Sequence, residues 1–464
     1  MSPWDLDVNL RTVIMDLLYL SMFILIGTIL RRYIKFFQTY LVPNNFIGGF
    51  IALLVGTQGL GWVDLASDRL VLYVYHFLAL TFISLGLRQE KKKWGKGPLS
   101  KSIAALISYL IQGLIGLSVA LALVYTINPD LFVGIGLVVP LGFGMGPGLA
   151  ATLAGSWEKF GFEGGAQVGL TFAAIGYVYA FFVGMAIINW GIRTGKTAFI
   201  KGVDHISTDM RRGIIKNGTP GVAGHLPQST EAIEPLAFHL ALVGTVYLLT
   251  YFIVNFLAGV MVSNGLEGFV ATLWSFHFVV GLLLALLVRK ILDKSGRGYL
   301  VDNGLMTRGM GLFLDYLVVG AIAGISFTIV LQYWLPILIM SLLAGPATLV
   351  WLYWACRRAF DDYHFERFVE IFGEMTGTIN SALVLLRVVD PEFDSPVAED
   401  AVYGSGISLF LGFPLLITLN VPFVYFDGAM KGYWVAAGIL LAYLILLLVV
   451  WRLSGFLKWK PVID

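Results

Sequence analysis

Hydrophobic positions along this chain fall in long unbroken blocks separated by short polar connections, with no two-residue alternation of the strand type. Blocks near 13–30, 43–62, 70–87, 103–126, 166–191, 237–258, 268–288, 311–331, 335–355, 404–424 and 433–453 each approach the roughly 20 residues that a helix needs to cross hydrocarbon. The pattern predicts about eleven full spans and an all-α polytopic membrane protein. Two further blocks, 131–155 and 369–388, are apolar enough to enter a bilayer but are interrupted by Gly, Pro, Thr and Asn. Neither reads as a plain helix.

The polar connections alternate in charge. Basic residues gather at Arg31, Arg32 and Lys35, at Arg88 with Lys91, Lys92, Lys93 and Lys96, over 193–216, over 289–297, and at Arg357 with Arg358. The connections between them, 64–69, 128–130, 264–267 and 427–431, are short and hold little basic excess. Cytoplasmic loops of inner-membrane proteins are the ones rich in Lys and Arg. The alternation therefore predicts an N-terminus outside and a C-terminus, with Arg452, Lys458 and Lys460, inside. It holds if 131–155 enters and leaves from the outside and 369–388 from the inside, which makes both segments re-entrant. Residues 1–16 show neither a positive leading segment nor a short apolar run, so the first span is expected to remain uncleaved.

A polar stretch with a Gly and Pro cluster near 217–224 divides the chain into two hydrophobic halves. Each half holds four spans, one broken segment and a fifth span, and the two start on opposite sides. The expected organisation is a first inverted repeat over 1–192, a cytoplasmic linker over 193–236, a second inverted repeat over 237–425, and an additional C-terminal helix and tail over 426–464. Inverted repeats with broken helices at matching positions point to a transporter whose site lies near the bilayer midplane.

Composition agrees. With 58% hydrophobic and 13% charged residues, the chain's natural surroundings are a lipid bilayer, and a net charge of +2 leaves no basic excess for nucleic acid. One cysteine, Cys356, excludes an internal disulfide and cysteine-based metal sites. No hydrolase or zinc-protease spacing occurs, so neither an enzyme nor a transition-metal centre is expected.

Candidate chemistry sits in the broken segments. Gly142, Phe143, Gly144, Met145, Gly146 and Gly148 lie between Pro140 and Pro147, where backbone can approach a solute and a half-helix can aim free N–H groups at an anion. A glycine-faced helix packed on a neighbour is the alternative, although packing does not call for the prolines. The second segment offers Thr378, Asn380 and Ser381 for substrate, and Glu374, Thr376 and Gly377 as oxygen ligands for a cation such as Na⁺. Glu374 is the most informative single residue, because an ionisable group at depth is functional by default, unless it sits solvated at the mouth. Arg387 can grip a substrate carboxylate or pair with Asp390. Asp315 is a further ion-binding candidate and ranks above His76 and His277, whereas Asn44 and Asn45 read as helix caps.

At Val42-Pro43 with Gly48-Gly49, the Gly142 to Gly148 run, Lys159-Phe160-Gly161-Phe162, Thr171 to Gly176, Asn217-Gly218 and Gly373 to Ser381, the chain resembles the sodium/glutamate symporter family. The order and spacing of these elements match better than individual residues, and the last helix lies outside the likeness. The resemblance implies two inverted five-helix domains with re-entrant loops, Na⁺-coupled symport of an acidic amino acid, and a homodimer. This chain departs from the family in carrying Phe143 and Met145 where a histidine is usual, in having fewer glycines in the second loop, and in placing Glu374 there. A carboxylate beside an anion site opposes glutamate unless it is protonated or cation-bound, so the small-molecule substrate can differ from glutamate. The expectation is cation-coupled, elevator-like symport of glutamate or a related small carboxylate or amino acid, with transport of a different small solute, proton-coupled or uncoupled, as the alternative. A passive channel and a membrane-embedded enzyme are the rivals from other classes.

Overall fold

The computed structural model describes residues 9–88, 95–200, 211–213, 224–225, 227–266, 269–391 and 393–460. The described residues are helical throughout, with no strand among them. In chain order the main helices are α1 (Leu10–Tyr33), α2 (Asn44–Val55), α3 (Ser67–Gly86), α4 (Lys96–Thr126), α5 (Ile135–Met145), α6 (Pro147–Ser156) and α7 (Gly165–Arg193). They continue with α8 (Pro235–Ser263), α9 (His277–Lys294), α10 (Asn303–Ala323), α11 (Trp334–Ala359), α12 (His364–Thr376), α13 (Ile379–Val389), α14 (Val397–Val424) and α15 (Met430–Leu453). Residues 201–210, 214–223 and 226 of the linker expected over 193–236, with its Asn217-Gly218 pair, and the lysines Lys91 to Lys93 lie outside the described residues.

Nine helices among the described residues are long and apolar enough to cross a membrane, which makes the chain consistent with a multi-pass membrane protein. That is fewer than the sequence predicts, for two local reasons. The block near 43–62 forms a helix of only 12 residues, because after Gly56 the backbone folds back and the N–H groups of Leu60 and Trp62 bond the carbonyls of Leu54 and Val55. The block near 268–288 is split at Phe276, and α9 beyond it ends in Arg289, Lys290, Asp293 and Lys294, too many charges for hydrocarbon.

The helices form two bundles. In the first, α3 packs on α10 and α9, α2 packs on α1 and α10, and α8 lies against α9 and α3. A buried ion pair ties α1 to α3: Asp16 accepts from Arg69 Nε at 2.8 Å and from the Tyr73 hydroxyl at 2.8 Å. A buried carboxylate needs such a set of donors. In the second, α4 is central, touching α5, α11, α14 and α15, while α6 and α5 pack on α7 and α12 packs on α13 and α11. The bundles meet where α6 and α7 lie against α3 and α10. Side chains at Leu18, Leu25, Phe256, Leu446 and Val450, on the outer faces of α1, α8 and α15, remain exposed, as lipid-facing helices require.

At one end of the second bundle the connection after α11 is clamped. Asp361 bonds Lys458 at 2.8 Å and also Lys96, joining the C-terminal tail to the start of α4. Lys458 and then Lys96 hold the Asp361 carboxyl down to about 2.

Candidate functional site

The two interrupted segments come together in the second bundle. The first is a helix pair, α5 and α6, separated by Gly146, whose backbone has φ +88° and ψ 168°. An L side chain rarely adopts that conformation, so glycine is required for the break. Pro147 then supplies the preset dihedral of a first helical residue and loses no hydrogen bond there. The second is the pair α12 and α13, broken over Gly377 (φ −147°, ψ −111°) and Thr378, the latter in extended backbone. The interruptions expected within 131–155 and 369–388 thus become two short helices each, and all four are largely buried.

The breaks touch. A Cβ built on Gly146 would lie 3.6 Å from the Thr378 methyl, and one on Gly144 would lie 3.2 Å from the Met375 carbonyl. Both segments rest on α7 at Gly176, where a Cβ would come within 2.5 Å of the Thr376 carbonyl and 3.2 Å of Phe143 Cα. From α4, the Tyr109 hydroxyl donates to the Gly144 carbonyl at 3.2 Å, and Gln112 Nε2 donates to the Met375 carbonyl and to Thr348 Oγ1 of α11, each at 3.0 Å. These bonds take up carbonyls that the broken helices leave over.

A polar seam runs from the breaks toward the first bundle. The Tyr177 hydroxyl lies close to Thr378, and the Asp315 carboxylate of α10 lies within electrostatic range of it. Asn45 of α2 donates to Asp315 Oδ1 at 2.8 Å, and Phe46 places its ring 5.4 Å from that of Tyr177. A π-helical stretch over Tyr179–Val183 follows directly on this face of α7, an irregularity frequent at functional sites. Thr378 is half-buried and Asn380 exposed, so this edge stays accessible, and Ser381 lies 3.5 Å from the Thr378 hydroxyl.

Several candidate residues serve other ends. Gly142 and Gly148 are contact glycines: a Cβ on the first would meet Phe172 at 2.5 Å, and one on the second would meet Leu78 at 2.6 Å. Phe143 is buried beside Phe172 and Tyr179, whereas Met145 is partly accessible at the break. The Thr376 hydroxyl donates to the Phe372 carbonyl and so stays within its own helix. Arg387 sits at the far end of α13 from the break, exposed, with its guanidinium 4.9 Å from the Phe393 ring. It reaches neither a seam residue nor Asp390, which instead accepts from Ser395 Oγ at 2.5 Å. Asn44 and Asn45 do not cap α2; Asn44 donates to Thr28 of α1 at 2.9 Å. His277 stacks on Tyr75, and His76 bonds Tyr247 at 2.6 Å, so both serve contacts between helices.

Glu374 is neither at the mouth nor at the break. It is 6% exposed, one turn inside α12, and its Oε2 lies 2.5 Å from Lys101 Nζ of α4, while Ser405 Oγ of α14 donates to Oε1 at 2.8 Å. Lys101 also donates to Ser405 Oγ at 2.6 Å. This carboxylate is therefore held by an ammonium rather than open to a metal ion. Among the described residues no cluster of three or more His, Cys, Asp and Glu side chains is arranged to hold a metal.

Lys101, Gln112, Tyr109, Tyr177 and Glu370 escape sequence reasoning. Lys101 and Gln112 carry a visible signal, a cation and an amide within a long apolar helix, whereas nothing local distinguishes the two tyrosines. Compared with protein-family models, curated proteins and solved structures, the chain matches none.

Proposed function

We propose that the chain is a secondary transporter, a cation-coupled symporter of a small carboxylate or amino acid that works by alternating access. What carries this reading is the meeting of two buried helix breaks against the same point of α7, beside a polar seam between two bundles. Broken backbone at membrane depth is tolerated only against protein or a watery cavity. The contacts fall near the middle of long helices, with Gln112 in α4, Gly176 in α7 and Thr348 in α11, as a midplane site demands.

In this reading α5–α6 and α12–α13 are re-entrant hairpins, and α1 to α7 and α8 to α14 are inverted repeats. The packing of α3 on α10 and of α4 on α11 supports it, since corresponding helices of two such repeats pair about a common axis. The α6 and α13 N-termini present free N–H groups to the carboxylate of the substrate. Tyr177, Thr378 and Ser381 orient it. Asp315 with Asn45 is the oxygen set for a coupling Na⁺, in place of Glu374, whose carboxylate is already ion-paired. Alternating access is then a sliding of the second bundle along the first across the α3, α10, α6 and α7 contacts. The N-terminus is placed outside an inner membrane and the C-terminus inside, and a homodimer follows from the resemblance to sodium/glutamate symporters. A passive channel is the weaker reading, because the seam groups Tyr177, Thr378, Asp315 and Asn45 gather at the helix breaks.

Uptake of labelled L-glutamate and a panel of dicarboxylates into proteoliposomes, with and without an inward Na⁺ gradient, tests the reading. Gradient-stimulated uptake above protein-free vesicles is expected. Uptake no faster than in protein-free vesicles for every solute and gradient overturns it.

A further inference from the structure

Glu366, Glu370 and Glu374 recur every fourth residue along α12, so they share one face of that helix. Glu366 opens on a cavity of about 440 Å³ that it lines with Lys196, Arg357 and His364, and it accepts from the Ala198 N–H at 2.7 Å. Glu374 closes the series one turn before the helix break, in its ion pair with Lys101. Glu370 stands between them, 1% exposed, within hydrogen-bonding reach of Glu374. Its Oε1 receives no hydrogen bond from any described residue.

The charges around Glu370 do not balance. From its own helix it faces Arg367 and Glu374, from α4 Lys101, and from α11 Cys356. Tyr109 of α4 lies in the field of Glu374, and Asp390, beyond α13, in that of Glu366. Arg367 is committed elsewhere, to Asp400 of α14 at 2.7 Å and to Asp362 at 2.9 Å. Lys101 is committed to Glu374 and Ser405. The two buried cations are thus taken, Lys101 by Glu374 and Arg367 by Asp400 and Asp362, and Glu370 is left without an ion-pair partner of its own. An uncompensated carboxylate in this setting is costly enough to take up a proton, and two carboxyl groups in hydrogen-bonding reach with no donor between them are the arrangement that one proton completes.

We propose that Glu370 carries a proton and donates it in a hydrogen bond to Glu374, and that this pair is a proton-coupling site separate from the seam at Thr378 and Asp315. A hydronium ion gives its proton to Glu370 and leaves as water; the new O–H then donates to Glu374, which keeps its pairing with Lys101. The site itself stands on the geometry of α12, and its coupling role rests on the transport reading above.

The test is therefore made first without transport. Infrared spectra of the full chain in lipid nanodiscs, free of Na⁺ and solute, are recorded at neutral pH for the wild type and Glu370→Gln. The wild-type-minus-variant difference should show a protonated-carboxyl stretch. Glu374→Gln should remove it as well, because Glu370 then pairs with Lys101. A difference spectrum lacking the band overturns the proposal, as does a wild-type band abolished by adding Na⁺, which would make the site one for a metal cation. In proteoliposomes an inward proton gradient should stimulate wild-type uptake of the solute identified above, with at least a tenfold loss in Glu370→Gln. Uptake indifferent to the proton gradient, with the band present, overturns the coupling role alone.

Discussion

The two helix breaks lie side by side yet are built from opposite materials. The α5–α6 break is apolar and backbone-made: Gly146 turns the chain, Pro147 restarts it, and the neighbouring glycines admit Phe172, Tyr109 and Leu78. The α12–α13 break contains no left-handed residue and instead carries an acidic helix whose buried charges are answered by other helices, Lys101 from α4 and Asp400 from α14. One break is held by shape and the other by charge. Changes to the first should therefore act through space and conformation, and changes to the second through electrostatics.

The largest effect is expected where charge is buried. Lys101→Met leaves Glu374 and Glu370 without their nearest cation and should cost about 3–5 kcal/mol, seen as a large drop in thermal midpoint of the purified protein. Adding Glu374→Gln should recover most of the loss; a double variant as unstable as the single would show that lost packing, not charge, is responsible. Next comes Gly146→Val, which forces a β-branched residue to φ +88° at a strain on the order of 1–3 kcal/mol and fills the approach to Thr378. Uptake should be lost while the fold persists by circular dichroism, and full uptake would detach this break from the site.

A smaller effect is expected from Thr378→Val, which keeps the shape of the tip but removes the hydroxyl close to Tyr177. Its thermal midpoint should move little while the half-saturating solute concentration rises several-fold. The smallest is Asp361→Asn, at the exposed clamp between Lys96 and Lys458, worth less than about 1 kcal/mol. Because the folded state holds this carboxyl at about 2, its stabilisation is present in full above the ordinary aspartate value of roughly 3.9 and fades as pH falls toward 2. The difference in midpoint between wild type and variant should shrink over that interval; a constant difference from pH 6 to pH 2 would contradict the assignment.

Both breaks are legible in the sequence because helix interruption is a local property of Gly and Pro, written within a few residues. The long spans are legible for the same reason. The blocks near 43–62 and 268–288 form shorter or interrupted helices because block length ignores where a chain turns back at Gly56 or bends at Phe276. Glu374 stands out as a carboxylate at depth, but its partner lies on another helix and leaves no mark near it. Arg387 reads as a ligand by residue type alone, and the direction in which its side chain leaves α13 places it outside.

By itself the sequence determined the helical, membrane-suited class of the chain, the positions of its two interruptions and the residues present at them, since apolar length and backbone freedom are encoded along the chain. Only the tertiary structure decided that the interruptions meet at Gly176, that Asp315 faces Asn45 and Tyr177, and that Lys101 neutralises Glu374 while Glu370 goes without a cation. Those pairings join residues far apart in sequence, and electrostatic compensation depends on distance in space, which local composition does not record.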